Sequence, residues 1–339
     1  MGFRRVVTHN DFDGVVCAAI CSHIYGMENI FFISPRDVQN ARFPIDKGDI
    51  VCDLPYPLDC GMWFDHHPGN LEDVRLRGID PDAIPGRFRP DPSAARTVYD
   101  YFAEEWEMAP YLAGTVAEAD VIDSFAYSSI DEWRRPTPGK NVDRSMKAPF
   151  GDHRERLRYL HRVALWVRDY PLEQIERFPE VVEARLRYEG EEERSLKLIR
   201  ESASFLPQDP GGEVAIVDLT GYRTRPHLVR QVAFLEYPQA LAALVVSNPM
   251  LDGRKSTNLS VGMSLSVLLS GREHGKDVGE IMRTLNIGDG HAGAGAGTIE
   301  CRGKEDMLRA KEQLLAEILA LWRQQPLERE GDAPEERSE

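Results

Sequence analysis

RVVTHNDFDG, residues 5–14, decides how the chain is read. Arg5 to His9 is a short β-branched run that ends in polar residues, and Val15 to Ile24 then reads as a helix packed on one side. The order is strand, loop, helix, with His9, Asp11 and Asp13 in the loop. Working outward, Ile30 to Ser34, Asp49 to Leu54 and Gly61 to Phe64 read as further strands. Ser93 to Trp106 reads as a helix with Ser93 as its N-cap, since Ala94, Val98, Tyr101, Phe102 and Trp106 recur along one face. Strands alternating with helices predict an α/β fold whose parallel sheet is covered on both faces, and such sheets bind ligands at the carboxyl ends of their strands.

At 339 residues, with 42% hydrophobic side chains, the chain has the length and apolar content of two domains. Its 41 Lys+Arg against 56 Asp+Glu give a formal charge of −15, which disfavours binding along a long nucleic-acid backbone but permits a small phosphorylated partner whose charge metal ions offset. The five cysteines, 17, 21, 52, 60 and 301, form no CxxC pair, so neither a disulfide framework nor a thiolate zinc site is expected. No signal-like segment precedes Asp11, and no stretch approaches the length of a membrane span. A cytoplasmic protein without membrane contact is expected, and a homodimer is compatible with this reading.

Tyr127 to about Asp152, rich in Pro, Gly, Ser and charge, reads as a long surface loop. Leu157, Leu160, Ala164 and Val167 form a helical stripe. Val182 to Arg200, mostly charged, reads as a solvent-facing helical connector. After PQDPGGE (207–213) a second α/β pattern begins, with strands at Val214 to Leu219, Leu241 to Ser247 and Asn258 to Ser264, and helices at Pro226 to Leu235, Val278 to Leu285 and Leu308 to Trp322. The expected division is 1–126, a connector at 127–212, a smaller α/β domain at 213–323, and a disordered acidic tail at 324–339.

Three strand ends deliver the chemistry: HNDFDG after the first, Asp53 at the end of IVCD, and Asp65, His66 and His67 at the end of MWFD. A fourth contribution can come from Asp120 or Asp123 in EADVIDS. Taken singly, an Asp or His at a strand end is an ordinary cap. Together, so many carboxylates repel one another unless cations neutralise them, and the group implies metal. A carboxylate and imidazole set without thiolate suits Mn²⁺, Mg²⁺ or Co²⁺, with manganese favoured and Asp53 the natural bridge between two ions. Far downstream, glycines 288, 290, 293, 295 and 297 allow backbone amides to approach an anion, with Arg254 and Lys255 as sources of positive charge and Asn258 as a further polar contact. Ser93 and Arg96 stand at a helix start soon after the DHH triplet.

DFDG at 11–14, Asp53 and DHH at 65–67 resemble the first three motifs of the DHH phosphoesterase superfamily, and Asp120 resembles the fourth. GDGHAGAGAG at 288–297 resembles the glycine-rich signature of the DHH-associated C-terminal domain. The resemblance extends over about residues 1–323 and includes RecJ-type exonucleases, nanoRNases and exopolyphosphatases. It implies a parallel-sheet catalytic domain, a smaller substrate-binding α/β domain and a helical connector between them. One metal ion would be held by Asp11, Asp53 and His9, the other by Asp13, Asp53, His66 and Asp120. His67 would contact substrate, Asp65 would orient the neighbouring imidazole, and Gly290, His291 and Gly293 would hold the substrate. His67 or His291 would stabilise charge in the transition state.

The expected activity is Mn-dependent hydrolysis of a short oligoribonucleotide or linear dinucleotide by a water activated between two metal ions. Polyphosphate and phosphoadenosine phosphate are the alternative substrates. His9 stands two residues before Asp11, a spacing similar to that of RecJ-type and oligoribonuclease-like members. DFDGV also fits the nucleophile motif of haloacid-dehalogenase-like phosphatases, with Asp11 phosphorylated, but that reading leaves DHH and Asp53 unused. The remaining class is a non-catalytic nucleotide-binding homologue.

Overall fold

The computed structural model describes residues 2–251, 253–269 and 274–327, except for the side chain of His291. Its contacts divide the chain into two units. The first runs to Ala126 and adds Arg135–Glu189, and the second comprises Tyr127–Arg134 and the chain from Gly190 onward. Residues 127–212, expected as one connector, fall into both.

The first unit is built on five strands: β1 (Arg5–His9), β2 (Ile30–Ile33), β3 (Asp49–Cys52), β4 (Met62–Asp65) and β5 (Gly86–Phe88). All are parallel, in the order β2-β1-β3-β4-β5. Val7, Val51 and Trp63 face one side, packing with Leu54 and Val74 under α2 (Pro35–Gln39) and α3 (Pro68–Leu76). On the opposite side α1 (Phe12–Tyr25), buried from Phe12 to Ser22, packs against α4 (Ala94–Phe102), α5 (Leu112–Asp123) and α8 (His153–Asp169). Such double coverage is what a parallel sheet requires. Asp49, fully buried at the start of β3, is gripped by Arg5 through Nε–Oδ1 at 2.7 Å and Nη2–Oδ2 at 2.8 Å, which pins the β1–β3 register. The chain leaves β1 towards β2 on one side and later returns to lay β3 on the other. A crevice is expected at the carboxyl ends of strands that diverge in this way.

Residues 127–152, expected as a surface loop, contain α6 (Ile130–Arg134) and α7 (Pro138–Met146). The reason lies in Thr137, which caps α7 ahead of Pro138, and in Val142 and Met146, buried one turn apart. The helical stripe from Leu157 to Val167 is α8, followed by the short α9 (Leu172–Ile175). The charged stretch expected to face solvent is α10 (Pro179–Ser202), but it has a buried side: Val181, Ala184, Tyr188, Glu192, Ser195 and Ile199 recur every three or four residues. Glu192 is tolerated there because Arg134 binds both its oxygens, at 2.8 and 2.9 Å.

The second unit carries a six-stranded sheet in the order β12-β13-β11-β8-β7-β6, formed by β6 (Ala203–Ser204), β7 (Val214–Asp218), β8 (Ala242–Ser247), β11 (Leu259–Leu265), β12 (Gly288–His291) and β13 (Ala294–Ile299). Only β7 and β8 pair in parallel. Leu244, Val246, Val261 and Met263 pack on one face with α12 (Val278–Thr284) and α13 (Lys304–Gln324), while Ala243 and Val245 pack on the other with Phe234 and Ile199. A two-stranded ribbon, β9 (Met250–Leu251) with β10 (Arg254–Lys255), completes the strands. The helix expected at 226–235 is only a 3₁₀ turn at Arg230–Val232 followed by α11 (Ala233–Glu236). The glycine-rich segment is an antiparallel hairpin, β12 with β13. A Cβ on Gly288 or Gly290 would lie 2.0 or 2.3 Å from a carbonyl oxygen of β13, so close strand packing demands these glycines. The acidic tail lies outside the described residues from 328 on.

Candidate metal centre

The loop after β1 is shaped by α1 itself. Asp11 is the N-cap, its Oδ1 accepting from the amide of Gly14 at 3.0 Å. Gly14 lies so near β1 that a Cβ would meet the His9 carbonyl oxygen at 2.2 Å. The glycine therefore serves close approach rather than a turn. Asp13 is drawn to the start of α4, where the amides of Ala94 and Ala95 donate to its two oxygens at 2.8 and 2.7 Å. Asp53 follows β3 in the left-handed region, at φ 55°, with its amide donating to the Phe64 carbonyl at 2.9 Å. This conformation is uncommon outside glycine, and residues held in it cluster at functional sites.

These turns gather three overlapping groups of donor atoms, each group within 4.8 Å: His9, Asp11 and Asp53; Asp53, Asp65, His66 and His67; and Asp13, His66 and Asp123. His9 Nδ1 stands 2.5 Å from Asp11 and 3.4 Å from Asp53. His66 Nε2 stands 3.7 Å from Asp53, 3.9 Å from Asp13 and 3.4 Å from Asp123. Its other ring nitrogen, Nδ1, lies 3.0 Å from the Asp91 carbonyl oxygen. A proton on Nδ1 leaves the Nε2 lone pair facing the carboxylates, the arrangement of a neutral ligating histidine. Asp65 is buried and works as a hub, accepting from the His66 amide at 2.8 Å, His67 Nδ1 at 2.9 Å and Asn70 Nδ2 at 2.6 Å.

Both carboxylate oxygens of Asp53 and Nε2 of His66 are buried without a hydrogen-bond partner. Such orphaned atoms are costly in a protein interior and rarely left unexplained. The electrostatics agree. Burial, reinforced by Asp11 and Asp13, pushes Asp53 well above the usual carboxylate range. Burial and Asp11 push Asp13 up to about 7 despite its two amide donors, and burial with Asp13 does the same to Asp123. Only Asp11 is held down, to about 2: burial opposes this, but the imidazole of His9 prevails. Oxygen and imidazole donors, several carboxylates that disfavour one another's charge, and orphaned atoms between them fit divalent cations.

The structure brings His9, Asp11, Asp13, Asp53, Asp65, His66 and His67 together, with Asp123 as the partner from α5. Asp120 is engaged elsewhere: Ser93 Oγ donates to Oδ1 at 2.7 Å, and Arg96 binds Oδ2 through Nη2 at 2.7 Å. Sequence spacing cannot separate two aspartates three residues apart on one helix face.

In the second unit, Lys255 donates to the carbonyls of Thr220 and Tyr222, whereas Arg254 is exposed and in no ion pair among the described residues. Gly290 sits in β12, and the carbonyl of Gly293 accepts from the Leu265 amide at 2.8 Å, tying the hairpin turn to β11. Asn258 is structural, its Oδ1 accepting from the Cys301 amide at 3.0 Å. His291 is in register with Ala294, which pairs with Ser264, while its side chain lies outside the described residues.

The sequence reading missed Arg230. Its guanidinium reaches the sheet at Gly262, where a Cβ would stand 2.7 Å from Nη1, and its Nε is buried without a partner. Burial, helped by Arg225, lowers its pKa to about 10. Ser247 and Ser264, on the strands next to and including Gly262, also carry unpartnered buried hydroxyls. Ser247, Gly262 and Ser264 share the sheet face that carries Ala243 and Val245. Only the small residues on alternate positions of β11 hint at it in the sequence.

No protein-family model matches the chain, and no curated protein matches it. Solved structures do. A pGpG-specific phosphodiesterase, PggH from Vibrio cholerae, aligns with a TM-score of 0.69 at 24% identity, over 94% of this chain and 99% of that one. RecJ from Thermus thermophilus, in complex with Mn²⁺, aligns with a TM-score of 0.52 at 14% identity, over 95% of this chain and 52% of that one. An exopolyphosphatase-related protein from Bacteroides fragilis aligns with a TM-score of 0.51 at 12% identity, over 95% and 94% of the two chains. With its strand order, the two sheets and the motifs seated at the strand ends, the chain has the fold of the DHH phosphoesterase superfamily.

Proposed function

We propose that the protein is a divalent-metal-dependent phosphodiesterase of short nucleotides, with linear dinucleotides and oligoribonucleotides of a few residues as its substrates. The observation that carries this reading is the convergence of three strand ends on the orphaned oxygens of Asp53 and Nε2 of His66. His9, Asp11 and Asp53 would hold one cation, and Asp13, Asp53, His66 and Asp123 the other. Manganese is the favoured ion. Cations in such a pair draw charge from phosphoryl oxygens and lower the pKa of water. Asp53 belongs to two of the three donor groups and is the bridging candidate.

The chain's own residues supply the remainder. Asp65 holds His67 through Nδ1, and its hydrogen bond and charge raise the pKa of His67 although burial works against this. In its protonated form, His67 can give up the proton on Nε2 to a departing oxygen or stabilise charge on a phosphoryl group. Arg230 with Ser247 and Ser264 offers the second unit's own surface for a phosphate, where Gly290, His291 and Gly293 were expected to act. A chain of net charge −15 with small, local cationic sites suits a short anion better than a long one.

The described helices include none long and apolar enough to cross a membrane, and all five cysteines are free. The likeness to a pGpG phosphodiesterase supports a dinucleotide over polyphosphate. The test is product release from pGpG, a long RNA, polyphosphate and phosphoadenosine phosphate, each with Mn²⁺, Mg²⁺ or Co²⁺. Turnover highest on pGpG is expected. Inactivity on all four with every ion, alongside tight dinucleotide binding, would establish the non-catalytic homologue instead.

A further inference from the structure

A cavity of about 830 Å³ opens in the first unit between the free edge of β2 and one side of α8. None of the carboxylates or imidazoles of the metal centre lines it. The volume falls in the range of small-molecule sites. Its apolar wall includes Phe31 and Phe43, whose rings stand 5.3 Å apart, together with Leu157. Phe31 is 36% exposed, and the Arg5 guanidinium covers part of this wall, 5.4 Å from the Phe31 ring and 5.1 Å from that of Phe43. The rim is cationic. Arg162 is committed to Glu180 at 2.7 Å, and His161 Nε2 to the Glu28 carbonyl at 2.7 Å. Arg42 and Arg158 are exposed and in no ion pair among the described residues. The one lining carboxylate, Asp37, is already engaged by the amide and hydroxyl of Ser34 at 3.0 and 2.6 Å.

Two guanidinium groups outside any ion pair among the described residues, Arg42 with Asp37 as a charged neighbour, stand beside an aromatic wall and select an anion with a flat apolar body. Arginine forks match phosphate oxygens, and aromatic side chains take a base. The free edge of a strand adds unpaired backbone donors and acceptors that can read the edge of such a ring. We propose that this cavity binds a nucleoside monophosphate, with its base against Phe31 and Phe43 and its phosphate on Arg42 and Arg158. The site is independent of the metal-centre reading, since the cavity needs no cation to complete it. Asn10, which lies between His9 and Asp11, lines the cavity, so an occupant touches the loop that carries two proposed metal ligands.

Isothermal titration calorimetry of the full chain in EDTA tests this with AMP, GMP, adenosine and inorganic phosphate as probes. A purine monophosphate is expected to bind one site per chain with a Kd below about 100 μM. Adenosine and phosphate alone are expected to bind at least about tenfold more weakly. The double variant R42E/R158E, exposed at both positions, is expected to lose at least about tenfold in affinity with an unchanged circular dichroism spectrum. Three results overturn the proposal: no heat from either nucleotide at millimolar concentration, phosphate binding as tightly as AMP, or affinity that survives R42E/R158E. Loss of hydrolysis alone bears on the metal centre and leaves this binding measurement intact.

Discussion

Asp120 is bound by Arg96, Nη2 to Oδ2 at 2.7 Å, and this ion pair leaves Asp123, one turn further along α5, as the aspartate beside Asp13 and His66. D123N is therefore expected to reduce phosphodiesterase turnover by about a hundredfold or more, the scale of losing a group that acts on charge at the reacting centre. D120N is expected to loosen the start of α4 and lower stability by about 1–3 kcal/mol with a far smaller effect on turnover. Kinetics and thermal melts of the two variants check the assignment, and the reverse ranking contradicts it.

Asp53 pulls stability and function apart. Its buried carboxylate has no hydrogen-bond partner among the described residues, and asparagine tolerates the same left-handed backbone. D53N is expected to raise the melting temperature of the EDTA-treated protein by about 2–4 °C, the shift that roughly 1 kcal/mol gives a domain of this size. Turnover is expected to vanish. A lower melting temperature for D53N in EDTA argues that the carboxylate is satisfied by groups other than a cation.

The pH dependence has a definite sign. Asp13 and Asp123 are raised to about 7, and Asp53 well above its ordinary range. A carboxyl with a raised pKa in the folded chain stabilises it fully at acid pH, below the unfolded value, and that contribution is lost as pH rises through the folded value. From pH 5 to pH 8, the metal-free parent should therefore lose more stability than D123N. Binding of Mn²⁺ at pH 6 should release protons, read by calorimetry in buffers of different ionisation enthalpy. Equal observed heats in buffers of different ionisation enthalpy count against carboxylate ligation.

Gly262 and Arg230 form a pair that mutation can uncouple. G262A places a Cβ 2.7 Å from Nη1 and should displace the guanidinium without removing it. Both G262A and R230A are expected to raise KM for a dinucleotide about tenfold or more while kcat changes less, since the loss is of binding common to substrate and transition state. A purely structural role for Arg230 predicts lower stability with KM unchanged.

The strand ends were legible because their polar residues break apolar runs: HNDFD after Arg5–Thr8, Asp53 after IVC, and DHH after MWF. The parallel sheet and the group at its carboxyl edge follow from that punctuation. Asp123 could not be told from Asp120, because the choice depends on where Arg96 reaches across from another helix. The segment at 127–152 was misread because Pro and Gly at the first turn of α7 resemble loop composition, although Pro138 is a helix starter there. Arg230 left no local signal. Its importance arises from a glycine 32 positions away on β11, a long-range contact that no window along the chain contains.

Beneath the acidic cluster lie three thiols, Cys17, Cys21 and Cys52, each with no solvent exposure; Cys21 and Cys52 stand 3.9 Å apart, Sγ to Sγ. Burial pushes Cys17 and Cys52 well above the ordinary thiol range, and the contact with Cys52 followed by burial does so for Cys21. An alkylating reagent meets none of them until the floor of the first unit breathes open. Their modification rate thus serves as a built-in gauge of how firmly that floor is held shut, and any cation that stitches its edge together should slow the reading.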